Sequence, residues 1–332
     1  MRHAAIKKSR VELIDIARGI ALLAMAVYHF GWDLELFGYM EPGTAVTGGW
    51  RLFARSIATS FLFLVGVSLF LAHAKGVRWP PFLKRLAMVI VAAAAITAAT
   101  WAIFPSGFIF FGILHHIALA SLLGLLFLHL PVWLVLAIAA GTVALPYYFS
   151  ALVFDNPALW WVGLSTFRPH SNDYVPLFPW FGAVLAGIAA GRLARDSGLL
   201  DRMALVRTGN WTALLRLAGQ HSLAFYLLHQ PVLIACVWAV SQVFPPALAT
   251  TEARFVNACT QQCSETRDAA FCKAYCDCFT EVLRSENRLE SVMSARSDAR
   301  NESRLSEIAS ECTMTAETGA IMQERDGTNE RP

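Results

Sequence analysis

Residues Leu13 to Phe30 read LIDIARGIALLAMAVYHF, an apolar run long enough to cross a bilayer that nevertheless carries Asp15, Arg18 and His29. Hydrocarbon makes each of these groups expensive, so a chain that keeps them there must give them a partner or a polar cavity. Helix geometry sharpens the constraint. Arg18 and His29 are eleven residues apart. At about 100° per residue that spacing returns them to within roughly 20° of one face, about 16 Å apart along the axis. One stripe of the helix thus holds a cation near one membrane surface and an imidazole near the other. Asp15, three residues before Arg18, also allows a plainer reading, an internally compensated ion pair.

Only a membrane fold accommodates the rest of the chain. Apolar residues make up 56% of the sequence and charged residues 15%, with mean hydropathy +0.49, whereas an ordinary soluble domain carries about 25% charged residues. After the first run, further apolar runs place spans at about 52–74, 84–104, 107–129, 131–149, 176–192 and 219–243. These predict an all-α, polytopic transmembrane bundle of about seven crossings over residues 13–245. A basic start, an apolar run and Ala24-Met25-Ala26 imitate a cleaved signal peptide, but Asp15 and Arg18 interrupt the run and favour a retained first helix.

The charges divide along the chain. Residues 1–250 contain seventeen Lys and Arg against nine Asp and Glu, and residues 251–332 contain ten against fifteen. The basic excess flanks membrane spans and the acidic excess belongs to a tail, a pattern that gives no footprint for nucleic acid. With the N-terminus inside, the inner segments collect Arg2, Lys7, Lys8, Arg10, then Lys75, Arg78, Lys84, Arg85, then Arg192, Arg195, Arg202, Arg207 and Arg216. The outer segments collect only Arg51, Arg55 and Arg168. This asymmetry predicts a multi-pass plasma (inner) membrane protein with residues 1–12 cytoplasmic and the C-terminal tail extracytoplasmic.

The tail carries its own signal. Cys259 and Cys263, then Cys272 and Cys276, form twin Cys-x3-Cys pairs, each putting two thiols on one face of a short helix. Residues 246–312 therefore suit a disulfide-stapled helical hairpin, for example with Cys259 joined to Cys276 and Cys263 to Cys272, in the oxidising compartment outside. Zinc is the competing use, although these spacings are not the usual Cys-x2-Cys knuckle, and we expect no metal site. From Thr313 to Pro332 the polar sequence predicts disorder.

Candidate chemistry follows from the intramembrane polar groups. His29 has Asp33 one turn later, which can hold its ring and set its tautomer. His115 and His116 lie in FFGILHHIALASLLG and point about 100° apart, so at most one can share a cavity with His29. His229 precedes Pro231, which frees backbone carbonyls. Each lone histidine can equally bond a neighbouring helix, and a pair of facing histidines can ligate haem. The outer connection from Tyr147 to Trp180 holds Trp160, Trp161 and Phe167, followed by Arg168, His170, Asn172 and Asp173. Aromatic faces beside polar groups suit a sugar, the same Trp residues suit an interfacial belt, and the length of the segment suits a lid or binding element.

The opening VELIDIARGIALLAMAVYHFGWDL resembles the first helix of the membrane-bound acyltransferase superfamily, in which an Arg and a His ten residues apart recur; Arg18 and His29 have this spacing. SFLFLVGVSLFL, FFGILHHIALASLLG, YVPLFPWFGAVLAGIAAGR and GQHSLAFYLLHQPVLI resemble, in the same order, segments of bacterial relatives of heparan-alpha-glucosaminide N-acetyltransferase. The resemblance covers about residues 10–245. It implies transfer of an acyl group, usually acetyl, from cytoplasmic acyl-CoA to an amine or hydroxyl of an extracytoplasmic glycan or amino-sugar acceptor. Acetyl-CoA is then a co-substrate rather than a resident cofactor. Under this reading Arg18, with Asp15, handles acyl-CoA, and His29, with Asp33, is catalytic as general base or acyl carrier. His115, His116, His229, Trp161 and Arg168 are candidates for the acceptor or the cavity wall. Larger members of the family have ten or eleven spans, so the missing wall is either absent or supplied by a second copy in a homodimer. The rival class is a transporter or flippase that uses the Asp, Arg and His track without acyl chemistry; the chain shows no convincing internal repeat.

Overall fold

The computed structural model describes residues 11–41, 43–246, 251–289, 292 and 299–327. Arg2, Lys7, Lys8 and Arg10 of the basic N-terminal segment, and residues 328–332 of the tail, lie outside the described residues. Helices occupy seven apolar stretches: α1 Glu12–Leu36, α2 Gly48–His73, α3 Trp79–Ile103, α4 Ile113–Gly124, α5 Val132–Tyr148, α6 Leu177–Asp196 and, after two short helices, α9 Ser222–Val243. Five of the seven are long and apolar enough to cross a membrane, namely α1, α2, α3, α6 and α9. The other two, Ile113–Phe127 and Val132–Tyr148, fall short of 18 residues. All are helical, and no strand occurs among the described residues.

The fourth span begins six residues later than its apolar run suggests, because the backbone of Gly107 to Gly112 is already committed. The carbonyls of Gly107 and Phe111 accept from the N–H groups of Asn172 and Val175, at 2.9 and 3.1 Å. Residues that pair with a second segment in this way cannot also form the first helical turn. α3 starts where Pro80 and Pro81 fall in its first turn, positions that need no N–H donor. In α9, Pro231 lies inside the helix and removes one ladder bond.

By its contacts the chain forms two compact units. The first comprises the described residues of Met1–Val27 together with Leu52–Val232. Its core runs through Leu62, Phe70, Ala120, Leu128, Val184 and Leu185. α2 and α6 cross at backbone contact: a Cβ on Gly66 would strike the carbonyl of Val184, and one on Gly187 the carbonyl of Phe63. Small residues at such a crossing let helices pack where no hydrophobic drive separates lipid from protein. Arg192 donates to the carbonyls of Leu130 and Leu128, the second at 2.9 Å, closing the end of the α4–α5 connection.

Two short helices, α7 Leu199–Leu205 and α8 Ala213–Gln220, precede α9. α8 crosses α1 as closely as α2 crosses α6. A Cβ on Gly19 would meet the Leu215 carbonyl, and one on Gly219 would meet that of Asp15.

The second unit comprises Tyr28–Arg51 and the described residues of Leu233–Pro332. It contains α10 Thr251–Cys263, α11 Ala269–Ser285 and α12 Ala299–Gly327. Asp268 caps α11 by accepting from Ala270 and Phe271 N–H, and those bonds hold its carboxyl below the usual carboxylate range. Disulfides join Cys259 to Cys276, Cys263 to Cys272 and Cys278 to Cys312. The first two staple α10 to α11, and the third ties α11 to α12. α12 continues to Gly327, where the polar sequence after Thr313 predicts disorder. Cys312 and Ala316 on its inner face are 0% and 1% exposed, so a buried stripe and a cross-link hold a helix that composition alone would leave unfolded.

Candidate functional site

Two polar constellations lie along α1, one in each unit. In the first, Arg18 donates to Asp15 Oδ1 at 2.8 Å and to Ser68 Oγ on α2 at 2.5 Å. Asp15 is 2% exposed, and its second oxygen takes a long 3.5 Å contact from Gln220 of α8. The Ser68 hydroxyl donates in turn to the Leu64 carbonyl. One turn earlier, Glu12 Oε2 accepts from Thr208 Oγ1 at 2.7 Å and from Arg216 at 3.0 Å. The guanidinium is thus aimed by an acid on its own helix and a hydroxyl on the next, a fork suited to phosphate or carbonyl oxygen. Ser68 and Gln220 were not foreseeable from sequence: a lone Ser in an apolar run and a Gln ending a short helix are both ordinary.

In the second unit, His29 and Asp33 stand one turn apart on α1, with Asp33 0% exposed. The His29 ring meets Tyr28 edge-on at 5.6 Å, and Tyr28 in turn lies 6.2 Å from Trp50. The segment is braced from its C-terminal side. Glu35 accepts from the backbone N–H groups of Gly43 and Ala45 at 2.6 and 2.7 Å, and Tyr28 donates to the Ala45 carbonyl at 3.1 Å. An imidazole followed by a buried carboxylate is the arrangement from which a general base is built.

The remaining histidines separate by environment. His115 accepts from Gly112 N–H through Nδ1 at 3.2 Å, which leaves its proton on Nε2, 3.2 Å from Thr97 Oγ1; that hydroxyl donates to the Ile109 carbonyl. Both ring nitrogens are thereby spent, Nδ1 on capping α4 and Nε2 on Thr97 of α3. The ring also lies beside an open groove of about 560 Å³ walled by Trp101, Phe108 and Phe110. His116 is 0% exposed and reaches the carbonyls of Val175 and Pro176 through Nδ1, each at 3.2 Å. His229 reaches the Tyr226 carbonyl at 2.7 Å and stacks on Phe225.

The outer connection folds back on the start of α4. Trp161 packs against Phe111 and Phe111 against His115, with centroids 6.3 and 5.7 Å apart. Trp160, Phe110 and Tyr174 make a second aromatic cluster, in which Tyr174 donates to the Trp160 carbonyl at 2.6 Å. Arg168 is exposed. Asp173, which the sequence offers only as one polar residue among several, binds Ile113 N–H at 2.9 Å. Desolvation raises its carboxyl to about 6 against that bond, and burial pushes the Tyr174 phenol up to about 12. Among the described residues no three His, Cys, Asp or Glu side chains converge as a metal site.

No curated protein and no solved structure matches the chain. A family model does: the one described as heparan-alpha-glucosaminide N-acetyltransferase, catalytic, matches residues 10–231. That span includes Arg18, His29, Asp33, the α4 histidines, Asp173 and His229, and it stops before the disulfide-bonded helices. Matching more than half of its length, a chain of apolar helices with an Arg and an imidazole on its first span belongs to the heparan-alpha-glucosaminide N-acetyltransferase catalytic-domain family, membrane-bound acetyltransferases.

Proposed function

We propose that this membrane protein transfers an acyl group, acetyl in the first instance, from cytoplasmic acyl-CoA to an amine or hydroxyl on an extracytoplasmic glycan or amino sugar. The observation that carries the reading is the family match over residues 10–231 enclosing Arg18 and His29 on one unbroken helix. Arg18, held by Asp15 and Ser68, takes a phosphate or the polar arm of CoA. His29, with Asp33 one turn away, removes the acceptor's proton as its heteroatom attacks the thioester carbon; that bond forms as the C–S bond breaks and CoA leaves as thiolate. Covalent relay through His29 meets the same balance in two steps.

The proposal places the N-terminus in the cytoplasm and the disulfide-bonded tail outside, in agreement with the basic residues of the inner segments and with the compartment in which disulfides persist. The test is release of CoA from acetyl-CoA by the protein in lipid, with and without amino sugars and envelope glycans, in wild type, His29→Ala and Arg18→Ala. Acceptor-stimulated release that His29→Ala abolishes supports transfer. Movement of a sugar across the bilayer with no CoA released would replace it with transport.

A further inference from the structure

Asp173 is a carboxylate without a cation. It is half-buried, and one oxygen, Oδ2, is fixed by the N–H of Ile113 at the first turn of α4. The same oxygen packs on Gly112 so closely that a Cβ there would collide with it. Oδ1 takes no hydrogen bond from any described residue, and no described Lys or Arg forms an ion pair with Asp173. One oxygen is held by the protein while the other is left open to a donor from outside it, the form in which a carboxylate takes up a ligand.

The surroundings have the form of a subsite. Ser171 donates to the Phe108 carbonyl, Asn172 N–H to Gly107 and Val175 N–H to Phe111, so the segment bearing Asp173 is zipped to the one bearing Phe110 and Phe111. Trp161 lies against Phe111 on one side, and Trp160 and Tyr174 against Phe110 on the other. The titratable groups around the carboxylate are His115 and His116 on α4, Tyr174 beside it with Arg168 in electrostatic reach, and Tyr226 from α9. The Tyr174 hydroxyl is spent on Trp160. His116 adds a second unserved group: its Nδ1 faces the Val175 and Pro176 carbonyls, and its buried Nε2 has no partner among the described residues.

We infer that Asp173 is the anchor of the acceptor subsite, its Oδ1 receiving hydrogen bonds from a polyhydroxylated or amino-bearing ring that stacks on the aromatic residues beside it. The identity of that ring as a substrate rests on the acyltransferase reading; the subsite itself rests on the geometry above. An ionised carboxylate accepts from two or more ring hydroxyls, or pairs with an ammonium group, and either supplies what the protein does not.

The experiment uses the full chain in lipid, with glucosamine and methyl glucoside as probes and acetyl-CoA as donor, comparing wild type with Asp173→Asn and Asp173→Glu. We expect Asp173→Asn to raise the acceptor KM at least tenfold while the acetyl-CoA KM stays within twofold. Asp173→Glu should fall between the two. The wild-type acceptor KM should rise as pH falls below about 6, and this dependence should be absent in Asp173→Asn. An acceptor KM within twofold of wild type in Asp173→Asn overturns the inference. Should that variant not be recovered folded, a wild-type KM in Asp173→Glu overturns it equally. If neither probe stimulates CoA release by wild type, the acyltransferase reading has failed, and the subsite is judged by binding alone. Titration of intrinsic tryptophan fluorescence with glucosamine must then give saturable binding that Asp173→Asn weakens tenfold; no binding to wild type removes the subsite as well.

Discussion

Asp15 and Arg18 are joined at 2.8 Å within a single turn of α1, and the acid is almost wholly enclosed while the guanidinium is one-fifth exposed. The acid is the more enclosed partner, and Arg18 also holds Ser68. Removing one member of a buried pair strands the other. We expect Arg18→Ala, which removes the 2.8 Å ion-pair partner of a buried carboxylate, to destabilise the protein in detergent by about 3 kcal/mol. Arg18→Lys, which keeps the charge and loses the fork, should fold and raise the acetyl-CoA KM about tenfold. A lysine variant with unchanged donor KM would detach Arg18 from the donor.

His29 supplies the second expectation. A positioned base contributes on the order of 10²–10⁴ in rate, so His29→Ala should reduce acceptor-dependent CoA release by about that factor in protein that elutes as wild type. Asp33→Asn, which neutralises the buried carboxylate one turn along α1 from the ring, should cost about 10–100-fold. Full activity in His29→Ala would leave the imidazole a packing residue of its helix.

Asp173 makes a prediction about stability whose sign is opposite to the familiar one for acids. Its carboxyl titrates near 6 in the folded chain against 3.8 ordinarily, so the folded state binds the proton more tightly than the unfolded state does. Stability attributable to this group therefore rises as pH falls from about 6 to about 4, and the ionised form at pH 7 carries a penalty. Asp173→Asn should raise thermal stability at pH 7 by on the order of 2 kcal/mol and flatten that part of the pH profile. A variant less stable than wild type at pH 7 would show that the bond to Ile113 outweighs the desolvation.

The cysteines allow a test without activity. Six of the seven are in disulfides, and Cys236 is free and exposed on α9. Alkylation of unreduced, denatured protein should add one label, and alkylation after reduction seven. On intact cells, an impermeant maleimide applied after mild reduction should reach the tail cysteines if the tail is extracytoplasmic; labelling only after lysis would reverse the assigned topology.

The helices were legible because an apolar run in a chain this poor in charge has few other fates. The limits of α4 were not, since Phe108 to Gly112 is as apolar as the helix that follows and only its pairing with residues 171–175 withholds it. The two Cys-x3-Cys pairs announce a hairpin because thiols four apart share a helix face, whereas the Cys278–Cys312 bond depends on α12, which polar composition conceals. Asp15, Arg18 and His29 stand out by cost, being polar groups in hydrocarbon, and Asp33 by its place one turn after His29. Asp173 escapes notice because an acid in a loop is unremarkable until its surroundings are known. His115 errs the other way: conspicuous in sequence, it spends both nitrogens on the backbone and on Thr97.

The paired glycines at the α1–α8 crossing bear on how this protein can be altered. Gly19 faces the Leu215 carbonyl and Gly219 the Asp15 carbonyl, so the depth at which the Asp15–Arg18 pair sits is fixed by main chain against main chain. No side chain there can be trimmed to widen the site or enlarged to narrow it. If Arg18 holds the acyl donor as proposed, retuning for a longer or shorter donor would act through side-chain contacts of the pair such as Ser68 and Gln220.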